Sequence, residues 1–194
     1  MKDLLEKQLS TQKVYEGHFL TVYKDKVQLA DGMVSHREYI KHPGAAMIIP
    51  VLDNGNLLML RQFRYAPQAE FIEFPAGKCD LDEGHLETAK RELIEETGYS
   101  SDDLKLITHI HPVIGYSDEI IYIYLAKNLK PAVQKLDHDE RLECFEISPT
   151  EAFQKIWNHE ITDVKTQIGL LWLQSLGMAT QASSDGNPSG RVSV

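Results

Sequence analysis

The stretch from residue 77 to residue 99, GKCDLDEGHLETAKRELIEETGY, is the feature that most restricts how this chain folds. Between residues 84 and 97 the apolar residues recur at the spacing of one helix face, and the glycine at position 98 is a residue type that often ends a helix. That face consists of Leu86, Ala89, Leu93, Ile94 and Thr97. The pattern therefore predicts an amphipathic helix that packs one side on the core.

Strand patterns lie on both sides of this helix. Residues 12–42 alternate like strands around the turn signal Asp31-Gly32, and 47–65 contain two buried strand candidates joined by a turn, with a loop predicted over 66–75. Further strands are predicted at 104–111, 119–126 and 142–147, and helices at 149–158 and 163–176. Helices that alternate with strands and hairpins predict an α+β fold in which helices cover a mixed sheet.

Length and composition narrow the class of protein. A chain of 194 residues fits one domain with a small appendage. A net charge of −9 argues against a nucleic acid or an anionic membrane as the main partner. No apolar run or apolar leader is visible, and Cys79 and Cys144 form no disulfide framework, so we expect a cytoplasmic protein. The small, polar residues 178–194 predict a disordered tail.

The predicted helix carries three carboxylates, Glu92, Glu95 and Glu96, on an arc that borders its apolar face. Glu92 and Glu96 are like charges four residues apart, which costs roughly 0.2–0.5 kcal/mol in an isolated helix. Arg91 can relieve Glu95 at the same spacing, but Glu92 and Glu96 have no such cation in the sequence. Two interpretations stay open on this pattern: a solvated charged face, or oxygen ligands for Mg²⁺ or Mn²⁺.

The spacing of fixed residues across the stretch favours the second interpretation. Gly77 is followed after five residues by Glu83, and after seven more by the run RELIEETGY, residues 91–99. This arrangement resembles the Nudix box, G-x5-E-x7-R-E-U-x-E-E-x-G-U with U a bulky apolar residue. The last position departs mildly, because Tyr99 stands where an aliphatic residue is usual.

The resemblance implies a Nudix hydrolase, which cleaves a nucleoside diphosphate linked to another group with the help of divalent metal ions. It implies metal ligands at Glu92, Glu95, Glu96 and the backbone carbonyl of Ala76, and Glu92 is also expected to take part in catalysis. Arg91 is then expected to orient the carboxylates by ion pairing.

The same resemblance assigns structural roles within the box. Glu83 is expected to support the loop, Gly77 to allow a sharp backbone turn, and Gly98 to end the helix. The implied fold is the Nudix fold, an α/β/α sandwich with a mixed sheet, here preceded by a small antiparallel β region.

Outside the box, most of residues 12–176 resemble the ADP-ribose pyrophosphatase branch of the family, in segments such as LLMLRQFRY, EFPAGK, IGYSDE and HDERLE. The resemblance implies hydrolysis of ADP-ribose to AMP and ribose 5-phosphate by a homodimer that exchanges its N-terminal strands. It divides the chain into residues 1–42, a Nudix domain at 43–177 and the tail. Ile114 stands where this branch usually has proline, a departure that bears on the choice of substrate and not on the chemistry.

Five further residues are candidates on this resemblance, each with a plainer alternative as a surface or strand-end charge. The candidates for substrate binding are Arg64, Arg61, Glu73 and Glu119, and the candidate for the catalytic base is Glu140 in a mobile acidic loop. Two rival functions remain: cleavage of another substrate such as ADP-glucose, GDP-mannose, NADH or a dinucleoside polyphosphate, or nucleotide sensing without cleavage. A sensor is expected to have lost box glutamates, and this chain keeps them.

Overall fold

The computed structural model describes residues 4–136, 138 and 140–178. Its strands are β1 (Lys7–Glu16), β2 (Thr21–Gln28), β3 (Val34–Lys41), β4 (Ala45–Pro50), β5 (Leu57–Arg64), β6 (Ala69–Glu73), β7 (Ala76–Lys78), β8 (Tyr99–Ser100), β9 (Asp103–Ile110), β10 (Ile121–Lys127), β11 (Lys130–Pro131) and β12 (Leu142–Ile147). Its helices are α1 (His85–Thr97), α2 (Pro149–Trp157) and α3 (Val164–Ser175). None of the helices in these residues is long and apolar enough to cross a membrane.

The first three strands form an antiparallel sheet of their own, in the order β1-β2-β3. Strand β1 begins at Lys7, earlier than the sequence pattern indicated, and every one of its residues is exposed. A parallel bridge between Ile40 and Ser117 and a hydrogen bond from Ile40 N to Tyr116 O join this sheet to the rest of the protein.

The central sheet has the order β7-β4-β10-β9, with β4 parallel to β10 and the other neighbours antiparallel. Alternate residues of the buried strand β4 enter two different cores, because successive side chains of a strand point to opposite faces. Ala46 and Ile48 pack with Ala89 and Leu93 of α1. The periodicity that predicted α1 therefore places it on one face of this mixed sheet.

The opposite face of the central sheet meets a second layer, made of the sheet β12-β5-β6 with α2 and α3. Met47 of β4, Met59 of β5 and Phe74 pack there against Leu170 and Leu173 of α3. Helices on both sides of a mixed sheet agree with the predicted α+β sandwich, although the strands divide into two packed sheets.

The predicted end of α1 is confirmed, and the loop predicted over residues 66–75 is wrong. Gly98 ends α1 with φ of 72°, and the Ser148 side chain accepts a hydrogen bond from Glu151 N at the start of α2. The predicted loop 66–75 instead contains β6, which pairs with β5 and so satisfies the backbone groups that face that strand. The predicted disordered tail lies outside the described residues except for Met178.

Candidate active site

The carboxylates of α1 lie deeper than the sequence indicated. The sequence placed them at the border of the apolar face, whereas Glu96 is 2% exposed and Glu92 is 9% exposed, while Glu95 is half-buried. The reason is that α1 packs not only on β4 but also against the short strand β7, which covers this edge of the helix. The apolar spacing of the helix predicts that one face is buried, but it does not predict the contact with β7.

Arg91 ties the acidic groups together. Its Nε and Nη2 donate to the two oxygens of Glu83 at 3.0 and 2.9 Å, and its Nη1 donates to Glu92 at 2.7 Å and to Glu95 at 2.9 Å. The expectation that Glu92 lacks a cation is therefore wrong, because the long Arg91 side chain folds back to its neighbour in sequence. Hydrogen bonds from Arg91 and Thr88 lower the pKa of Glu83 to about 2.

Strand β7 provides the surface on which two of these carboxylates rest. The backbone N–H of Ala76 donates to Glu96 Oε2 at 2.8 Å. A Cβ atom on Gly77 would lie only 1.8 Å from Glu92 Oε1. The absence of a side chain at residue 77 is thus what lets the Glu92 carboxylate approach the backbone.

The cluster carries more negative charge than its own cation balances. Desolvation by burial raises the pKa of Glu92 to about 7 despite the nearby Arg91, with Glu95 and Glu140 adding to the effect. Burial, followed by the charges of Glu92 and Glu140, raises the pKa of Glu96 well above its usual value. Buried carboxylate oxygens with uncompensated charge are the donor set that a hard divalent cation prefers.

The ligand set is incomplete as the side chains stand. Among residues 4–136, 138 and 140–178, no three or more His, Cys, Asp and Glu side chains converge into a group able to hold a metal ion. Mg²⁺ commonly completes its shell with waters and substrate phosphates, and the Ala76 carbonyl lies in the same segment. The glutamates present therefore fit a shared, open metal site better than a closed one.

A cavity of about 370 Å³ is lined in part by Ala76 and Gly77, the same residues that contact the glutamates of α1. Its lining includes three cations, Arg64, Lys78 and Lys165, and two carboxylates, Glu119 and Asp163. Phe19, from the loop between β1 and β2, reaches this cavity, where its ring lies 5.2 Å from Lys78 Nζ and meets His42 edge-on. Cations and an aromatic ring beside an acidic cluster suit a ligand with both a phosphate and a flat ring.

Arg64 and Glu73, both predicted to contact substrate, contact each other. Arg64 Nε and Nη2 donate to the two Glu73 oxygens at 2.7 and 2.9 Å. Glu73 is 3% exposed, and Arg64 and Lys165 keep its pKa below the usual value although burial opposes them. Arg64 faces the cavity, whereas Glu73 lies behind it as its partner.

The other three candidates are dispersed. Glu119 lines the cavity with its carboxylate 3.8 Å from His42 Nε2. Arg61 pairs with Glu143 at 3.0 Å and lines a different cavity, apart from Arg64. Glu140 lies close enough to raise the pKa of two cluster glutamates, while residues 137 and 139, which precede it, fall outside the described part of the chain.

Sequence reasoning overlooked the first turn of α3. Asp163 caps the helix by accepting from Thr166 N, Lys165 pairs with both Asp163 and Glu73, and Thr166 Oγ1 accepts from Phe74 N at 3.0 Å. A signal was available, because a lysine in the first turn of a helix is unfavourable to the helix dipole unless anions lie nearby.

Comparison with known proteins identifies the family. The NUDIX domain model matches residues 41–167, and a nucleoside diphosphate sugar hydrolase N-terminal domain matches residues 6–40. The chain is 37% identical over 176 residues to an ADP-ribose pyrophosphatase of Bacillus subtilis, covering 90% of this chain and 95% of that protein. It is 36% identical to a methanol dehydrogenase activator of Bacillus methanolicus, covering 87% and 92% of the two chains.

A solved structure supports the same fold. The crystal structure of an ADP compounds hydrolase superposes with a TM-score of 0.80 at 22% identity, covering 92% of this chain and all of the other. The family match over residues 41–167 includes α1 and β7, which carry the residues of the Nudix box. The chain therefore belongs to the Nudix family of pyrophosphohydrolases.

Proposed function

We propose that this protein hydrolyses the pyrophosphate of ADP-ribose to AMP and ribose 5-phosphate, with Mg²⁺ or Mn²⁺ as the cofactor. The observation that carries the proposal is a buried glutamate cluster and a cation-lined cavity that share the residues Ala76 and Gly77. The relative from Bacillus subtilis named as an ADP-ribose pyrophosphatase supports the choice of substrate.

In this proposal one group of residues holds the metal ion. Glu92, Glu95, Glu96 and the Ala76 carbonyl would hold the metal, which when bound would neutralise the phosphoryl oxygens and activate water. Arg91 keeps these carboxylates in place through the hydrogen bonds described above.

On the substrate side, Arg64 binds a phosphate oxygen through the part of its guanidinium not engaged by Glu73. Glu119 and Arg61 remain candidates for substrate contact. Glu140 accepts the proton of the attacking water, and the oxygen of that water joins phosphorus as the bridging P–O bond breaks. Pro112 lines the cavity while Ile114 is 82% exposed, so the departure from the branch pattern lies on the surface.

We also propose a homodimer built on the N-terminal sheet, with residues 1–42 exchanged and 43–177 as the catalytic domain. Apolar side chains on and beside β1 are exposed, among them Leu4, Leu5, Val14 and Tyr15. A second copy would remove this surface from water. Light scattering should then give twice the 22.0 kDa of one chain, and a value of one chain would contradict the dimer.

For the setting, we infer a reducing cytoplasm and a small-molecule partner. Neither cysteine forms a disulfide, and the net charge of −9 opposes binding to nucleic acid or to an anionic membrane. Expression without an oxidising pathway should therefore give active protein.

The function is tested by product analysis with ADP-ribose, ADP-glucose, GDP-mannose, NADH and diadenosine polyphosphates, each with Mg²⁺ and with excess chelator. AMP and ribose 5-phosphate formed best from ADP-ribose, and only with metal, is the expected result. Preference for another compound would keep the chemistry and change the substrate. Cleavage of none would favour a nucleotide sensor.

A further inference from the structure

The first turn of α3 forms a hydrogen bond and an ion pair with the segment that leads from β6 into β7. Thr166, which is completely buried, accepts the N–H of Phe74, and its neighbour Lys165 reaches the buried carboxylate of Glu73. Gly169, one turn later, lets the helix approach closely, since a Cβ there would lie 2.8 Å from Met47 Cε. The position of Lys165 relative to Glu73 is therefore fixed by packing as well as by charge.

Glu73 is shared between two cations. One of its oxygens accepts from Arg64 Nε, and the other accepts from both Arg64 Nη2 and Lys165 Nζ. Arg64 Nη1 stays outside this pair. The two hydrogen bonds from Arg64 to Glu73 fix the plane of the guanidinium relative to the carboxylate. Because Lys165 also holds that carboxylate, the guanidinium keeps one orientation.

We propose that Lys165 is a positioning residue for substrate binding: it anchors Glu73, and Glu73 in turn orients Arg64 toward the phosphate in the cavity. This deepens the proposed function and rests on it for the phosphate. Lys165 acts through Arg64 and not on the reacting atoms, so its loss should weaken binding and leave the chemical step nearly unchanged.

The charge of the group leads to the same expectation. Arg64, Lys165, Glu73 and Asp163 together carry no net charge. Without Lys165 the group is left with one excess negative charge beside a cavity that binds an anion. Both effects, the lost positioning of Arg64 and the added negative charge, raise KM, and together they should amount to roughly tenfold.

The experiment is a double-mutant cycle with Lys165→Met and Arg64→Ala, measuring KM and kcat on the best substrate of the panel and the Kd of inorganic pyrophosphate by calorimetry. We expect Lys165→Met to raise KM and Kd about tenfold with kcat within about twofold. In the Arg64→Ala background the same change should have a clearly smaller effect, because the positioning role is gone and only the loss of one positive charge remains.

Lys155→Met is the matched control, since Lys155 also forms an ion pair, with Glu160 at 2.7 Å, but lies on α2 away from the cavity lining. Its KM should not change. Lys165→Gln is measured in parallel and provides a folded variant should the methionine variant not fold. Effects of Lys165 and Arg64 that add independently, or a loss of kcat at constant KM, would overturn the proposal.

The pyrophosphate measurement separates this proposal from the proposed function. Pyrophosphate binding that follows the cycle in a protein that cleaves no nucleotide would refute the activity and keep the role of Lys165. Nucleotide cleavage by a Lys165→Met variant with an unchanged KM would support the activity and refute the role of Lys165.

Discussion

Replacing Gly77 with alanine tests whether the position of the Glu92 carboxylate limits catalysis. The new Cβ would lie 1.8 Å from Glu92 Oε1 and 2.1 Å from its Cδ, where ordinary contact needs roughly 3.4 Å. Gly77 does not have positive φ, so the backbone tolerates alanine. The carboxylate must therefore move by about 1.6 Å.

The magnitude follows from that displacement. A misplacement of about 1 Å in a catalytic site can lower the rate ~100-fold, which is about 2.7 kcal/mol of barrier. We expect at least this loss in kcat and a higher Mg²⁺ requirement. Because the displaced atoms end a flexible side chain, the free energy of unfolding should change by less than about 1 kcal/mol.

The assay compares kcat and denaturant unfolding of Gly77→Ala with those of Gly55→Ala. Gly55 lies beyond the other end of β4 with φ of 85° and no atom near a new Cβ, so alanine there strains the backbone but leaves the site alone. The control should lose about 1 kcal/mol or more of stability and keep its kcat. A Gly77→Ala enzyme with normal kcat would refute the reasoning.

Three further outcomes are expected. Glu96→Gln should lower kcat at least ~100-fold with unchanged circular dichroism, since the amide oxygen can still accept from Ala76 N while the charge is lost; near-normal turnover would remove Glu96 from the metal ligands. Arg91→Lys should reduce both kcat and melting temperature, because one ammonium cannot replace a guanidinium that contacts three carboxylates; an unchanged melting temperature would contradict this. Burial, aided by Glu96, raises the pKa of Cys144 to about 11, so its rate of alkylation by iodoacetamide should rise about tenfold per pH unit from pH 8 to 10; a plateau near pH 9 would indicate an ordinary thiol.

The sequence by itself determined the chemistry-bearing helix and its limits. The apolar spacing located α1, Gly98 ended it as expected, and the Nudix-box spacing singled out the residues that the fold gathers around Arg91. These features are local, because a helix face and its cap depend on residues within one or two turns. The helices α2 and α3 were also located from local patterns, although the role of Asp163 as the cap of α3 was not recognised.

Only the tertiary structure decided how deeply the glutamates lie and what they touch. The burial of Glu96 comes from β7 packing against the helix, and one of the two cationic partners of Glu73 comes from α3, 92 residues away along the chain. Arg61 and Arg64 are three residues apart on β5 and so take opposite faces, but which of the two faces borders the cavity depends on what packs there. Burial and long-range contacts set the charge balance of this site, and neither can be read from local spacing, because each depends on distant segments that meet only in the folded chain.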